Sequence, residues 1–154
     1  MRAGPRTLRV FRMMVLVTLA SIVLAALLGP PLLPFIFGAE FEPSVEPFLW
    51  RLPGVFGYTA ISIFTNALLG VSSPGRSSLG WLCALISGLA LDVVLIPPFG
   101  AEGAAIAASA AFLLGGFVAM LMFRARMAFA LPALVPRRSD LVALVRLPSQ
   151  LLAR

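Results

Sequence analysis

Residues 13–39, 52–75 and 103–123 contain no charged side chain, and 77–101 contains only Asp92. Runs of about 20 apolar residues match a hydrocarbon layer of roughly 30 Å when they are helical. A soluble fold has no use for so many, because its surface needs about a quarter of its residues charged. Here 12% are charged and 60% hydrophobic, with a mean hydropathy of +1.03. Lipid is therefore the solvent expected for most of the chain, and transmembrane helices satisfy the backbone there.

The runs predict an all-α, polytopic membrane protein with four transmembrane helices, at about 10–29, 47–70, 78–96 and 102–123. Pro30, Pro31 and Pro34 end the first, and a short apolar-then-acidic stretch from Pro34 to Glu42 reads as a re-entrant or interfacial turn. A secretory signal peptide is the rival for the first run. Its basic start fits, but no clean small-residue cleavage site follows and three further runs come later. Pro53, Gly54 and Gly57 predict a kink in the second helix. Val71 to Ser78, with Pro74-Gly75 at its centre, is a turn, and Pro97, Pro98 and Gly100 close the third helix near Ile96.

All twelve basic residues are arginines. Those at 2, 6, 9, 12, 76, 124 and 126 fall at one set of run ends, and Glu40, Glu42, Glu46 and Glu102 fall at the other. Under the positive-inside rule both termini are cytoplasmic. This placement at run edges, with no basic patch, also argues against nucleic acid as a partner. Residues 1–126 form the transmembrane region, and 127–154 a cytoplasmic tail, interfacial or simply solvated.

Chemistry in the chain is sparse. With no histidine, one cysteine (Cys83) and six acids, neither a metal site nor a nucleophile–base set assembles, so neither enzyme activity nor a cofactor is expected. On the second helix Tyr58, Ser62, Thr65 and Asn66 all fall within about 60° of the direction of Arg51 at roughly 100° per residue. Such a stripe reads as a cavity wall along a substrate path, or as polar glue between helices. Asp92 reads as an intramembrane proton or sodium site, or as a structural carboxylate near the outer interface. Small residues recur every fourth position at Gly80, Ala84 and Gly88, and again at Gly103, Ala107, Ala111, Gly115 and Ala119. These two faces predict a close antiparallel helix pair. Arg51 and Asp92, each about one turn from the outer end of its helix, are expected at one depth, either as an ion pair or with Arg51 snorkelling to the outer headgroups and Asp92 reaching water.

The ordered segments Pro34-Phe-Ile-Phe-Gly-Ala-Glu-Phe41, Pro53-Gly54, Gly75-Arg76 and Leu95-Ile-Pro-Pro-Phe-Gly-Ala-Glu-Gly-Ala-Ala-Ile-Ala107 resemble the C-terminal part of bacterial polysaccharide flippases. These belong to the multidrug, oligosaccharidyl-lipid and polysaccharide exporter superfamily. The resemblance covers about residues 10–126. It implies a multi-pass protein of the bacterial inner membrane and, as partner besides the bilayer, an undecaprenyl-pyrophosphate-linked oligosaccharide moved by alternating access. Such transporters pair bundles of roughly a dozen helices, so four are expected not to transport alone and to seek other transmembrane helices or further copies. Two alternatives stand beside this reading: a non-transporting membrane scaffold or truncated remnant, and a fragment of a drug/cation antiporter of the same superfamily.

Overall fold

The computed structural model describes residues 5–69 and 74–126, and they are helical almost throughout. Helix α1 spans Pro5–Phe37, a 3-10 helix spans Ala39–Ser44, α2 spans Val45–Leu69, a single turn α3 spans Pro74–Ser77, and α4 spans Leu79–Arg126. Three of these segments are long and apolar enough to cross a membrane. The tail expected at 127–154 lies outside the described residues, as does Gly70, the expected end of the second helix.

The prolines do not end helices as expected. α1 continues past Gly29 through Pro30, Pro31 and Pro34 to Phe37. Proline's fixed φ is compatible with helix, and what it removes is one donor to the carbonyl four residues back. Near a helix end that carbonyl can find water or a neighbouring group, so the helical path survives. Glycine stops it instead. Gly38 has φ 99° and ψ 162°, a region open essentially to glycine alone. Its amide still closes a last helical bond to the Pro34 carbonyl at 2.9 Å, and Phe41 N–H then bonds the Gly38 carbonyl at 3.0 Å to begin the 3-10 turn.

The same correction applies at the second proline pair. Pro97 and Pro98 are helical, and the expected segments 78–96 and 102–123 are two helical arms joined by a sharp bend at Gly100 (φ 54°, ψ −126°). Those angles match the first central position of a type II′ turn, which requires positive φ. We call 79–99 the incoming arm and 101–126 the outgoing arm. At roughly 1.5 Å per residue they are about 30 and 40 Å long.

The arms fold back on each other through their small residues. A Cβ on Gly103 would run into the Leu95 carbonyl. One on Gly88 would meet Ala111 Cβ at 3.4 Å, one on Gly115 would meet Ala84 Cβ at 2.8 Å, and one on Gly80 would meet Ala119 Cβ at 2.9 Å. As the number on the incoming arm falls from 95 to 80, its partner on the outgoing arm rises from 103 to 119, so the pairing is antiparallel along the whole hairpin. Ala107, Ala111 and Ala119 are buried at this seam.

α2 packs on a neighbouring face of the outgoing arm. Gly54 approaches Ser109, Gly57 approaches the backbone of Phe112 and Leu113, and Gly116 approaches Gly57 and Ala60. Both numbers rise together, so α2 and the outgoing arm run parallel. α1 lies antiparallel on α2, with Gly29 against Phe48 and Thr18 bonded to Thr59 at 3.3 Å. Val15, Phe64, Leu68, Ala119 and Phe123 join α1, α2 and the outgoing arm in the main apolar cluster, where the Phe64 and Phe123 rings lie 5.3 Å apart.

Burial is inverted relative to a water-soluble fold. Glycine, alanine and serine fill the helix contacts, whereas Leu27, Phe35 and Val93 are 69%, 85% and 75% exposed. In water so much exposed apolar surface would associate, but against lipid tails it is matched.

Candidate functional site

The polar residues of α2 divide between two environments. Toward the hairpin, Arg51 places its guanidinium 4.9 Å from the centre of the Phe112 ring, a cation–π contact. Tyr58 meets Trp81 and Phe112 edge-on, at 5.3 and 5.6 Å. Further along, Ser62 is half-buried, Asn66 is exposed, and Thr65 is buried with no hydrogen-bond partner for its hydroxyl among the described residues. The five residues expected on one wall therefore share a helix face but not one cavity; only Arg51 lines the groove described next.

That groove, of about 400 Å³, runs between α2 and the incoming arm over the outgoing arm. Its floor is Ala108, Ala111 and Phe112, and its wall on the incoming arm runs from Trp81 through Ala84, Leu85, Gly88 and Leu89 to Asp92. Arg51 and Asp92 thus face one space from opposite sides. They also share a level. Carrying the Gly54–Ser109 pairing three residues back sets Arg51 beside Ile106, and carrying the Gly88–Ala111 pairing four residues on sets Asp92 beside Ala107. The expected ion pair does not form: among the described residues no salt bridge joins Arg51 and Asp92, because the outgoing arm holds their helices apart and Arg51 turns to Phe112. With α2 starting at Val45 and the incoming arm ending at 99, both charges lie about 10 Å from their helix ends, deeper than the sequence reading put them.

A second cleft, of about 910 Å³, opens where α1, the 3-10 turn, α2 and the start of the outgoing arm meet. Glu42, Glu46 and Glu102 border it together with Trp50 and Pro53. Three of the four acids assigned to the outer side from sequence border this one cleft.

Between the two openings sits a contact that sequence reasoning missed. Ser109 Oγ donates to the Trp50 carbonyl at 2.6 Å and accepts from the Gly54 amide at 3.2 Å. Those two backbone groups are four residues apart and would ordinarily bond each other. Pro53 has no amide to offer, Gly54 has no side chain in the way, and the hydroxyl of the neighbouring helix enters the opened turn. Ala105, Ser109 and Gly116 form a second small-residue strip on the outgoing arm, and its match to Gly54 and Gly57 was the available signal.

Fold and surface together define a class: an all-helical membrane protein with small-residue interfaces and a charged groove. The chain matches no protein-family profile, no curated protein and no solved structure.

Proposed function

We propose that this chain is a four-span helical unit of a bacterial inner-membrane transporter for lipid-linked oligosaccharide, with both ends of its helical region in the cytoplasm. The sequence resemblance to polysaccharide flippases names the substrate class. The observation that carries the reading is the charged, open-sided groove. Among the described residues α2 lies between α1 and the outgoing arm, which in turn lies between α2 and the incoming arm. This order leaves Arg51 and Asp92 in an open groove instead of an enclosed path. Intramembrane charges are costly unless a partner or wet cavity receives them. A path would close when further transmembrane helices, from another copy or another protein, cover that side. One copy is then not transport-competent. Arg51, as a fixed cation with a planar fork, suits a pyrophosphate, and Tyr58, Ser62 and Asn66 would lie along the route inward.

Proteoliposomes test this directly. The purified chain alone should not move a fluorescent undecaprenyl-pyrophosphate oligosaccharide between leaflets, but it should retain that lipid in preference to undecaprenol without pyrophosphate or sugar. Retention of hydrophobic organic cations with no retention of the lipid-linked sugar would instead favour the antiporter reading.

A further inference from the structure

We infer that the groove between α2 and the incoming arm is a binding site for a single zwitterionic aminophospholipid, a phosphoethanolamine-headed diacyl lipid. Its phosphate would meet Arg51, its ammonium would meet Asp92, and one acyl chain would follow Leu89 and Leu85 toward Trp81. The inference rests on the chain being embedded in lipid and not on the transport reading, with which it shares Arg51, so the two ligands would compete for the groove.

Three observations converge on that ligand. First, a cation and an anion line one groove at one level without bonding each other, so an occupant carrying both signs completes both. Second, the remaining lining is alanine, glycine, leucine and aromatic surface that extends inward from the charges, which matches a head joined to a chain. The Tyr58–Trp81 edge contact draws the two walls together at its inner end. Third, the groove opens on the lipid-facing side of the hairpin, where Leu85 and Leu89 are 58% and 60% exposed. A volume of about 400 Å³ is too small for a whole diacyl lipid but holds a head and part of one chain.

The headgroup follows from hydrogen bonding. An anionic phosphoglycerol head satisfies Arg51 but sets no cation against Asp92. A choline head carries both charges, yet its quaternary nitrogen has no N–H to donate. An ethanolamine ammonium has three donors, and charge-assisted bonds to a carboxylate are roughly twice as strong as neutral ones.

Native mass spectrometry of the full chain in detergent, titrated with phosphatidylethanolamine, phosphatidylcholine and phosphatidylglycerol of identical chains, reads the preference. We expect one ethanolamine lipid to be retained several-fold more than the other two. Asp92→Asn should abolish that preference while keeping phosphatidylglycerol binding, and Arg51→Gln should weaken all three. Equal retention of the three lipids, or an unchanged pattern in Asp92→Asn, would overturn the site. A second measurement needs neither variant. The chain has two tryptophans, so Trp50→Phe leaves Trp81 as the sole reporter in the groove. In phosphatidylcholine bilayers its fluorescence should be quenched more by brominated-chain phosphatidylethanolamine than by brominated phosphatidylglycerol. Quenching that ignores the headgroup would sink the proposal. Soluble glycerophosphoethanolamine should not relieve the quenching; relief would show a water-soluble ligand and overturn the lipid assignment.

Discussion

Ser109 shows how a single hydroxyl can replace a backbone bond inside a membrane. Its two bonds span the Trp50 carbonyl and the Gly54 amide. If alanine replaces it, closure of the turn would let those two groups, four residues apart, bond each other as in an ordinary helix. The loss in Ser109→Ala should therefore be small, about 1 kcal/mol, in line with interhelical hydrogen bonds in membranes. Gly57→Ala should be worse although it deletes nothing. Its new Cβ would run into the backbone of Phe112 and Leu113, and backbone cannot swing aside as a side chain can. Overpacking of this kind costs about 1–3 kcal/mol. Thermal unfolding in detergent should rank Gly57→Ala below Ser109→Ala, and the reverse order would mean that the hydroxyl and not the close approach holds α2 to the outgoing arm. Of these two, Gly57 was visible in sequence as a kink residue. Ser109 was marked only by the small-residue strip it shares with Ala105 and Gly116, and the serine itself does not tell that a proline on another helix has opened a turn for it.

At the scale of the helix, the hairpin depends on one residue for its bend and on several for its seam. Gly100 has nothing within 4 Å of its hypothetical Cβ, so alanine there meets no clash, only the strain of φ 54°. Gly100→Ala should cost about 1–3 kcal/mol. Pro97→Ala restores a helical donor at a position that is already helical, and its effect should stay within about 0.5 kcal/mol. If Pro97→Ala proves the more damaging, the prolines and not the glycine set the bend. The fourfold spacing of small residues made the seam legible from the chain alone, because every fourth residue returns to one helix face. The helix ends were misread for a physical reason. Proline breaks helices reliably where the lost bond is buried mid-helix, but both proline groups here stand within about three turns of a helix end. The position of Arg51 relative to Asp92 was legible in depth and not in width, because the outgoing arm that separates them comes later in the sequence than either.

For the molecule as a whole, the distribution of charge makes a sharp statement about orientation. Glu42, Glu46 and Glu102 gather around one cleft, whereas Arg124 and Arg126 end the outgoing arm at the far end of α4. Arginine is held on the cytoplasmic side during insertion, and acids have little say, so the arginines decide. The bend at Gly100 then matters for topology as well as shape. If α4 crosses twice, positions 42 and 102 lie on the same side of the bilayer, and position 126 lies on the other. If α4 crosses once, 102 and 126 cannot be assigned this way. Cys83 is the chain's only cysteine, so Cys83→Ala gives a clean background for single cysteines at 42, 102 and 126. In intact bacterial cells a membrane-impermeant maleimide should label positions 42 and 102 and should spare 126 until the membrane is opened. Labelling of all three without permeabilisation would reject four spans, and labelling of 126 alone would invert the orientation.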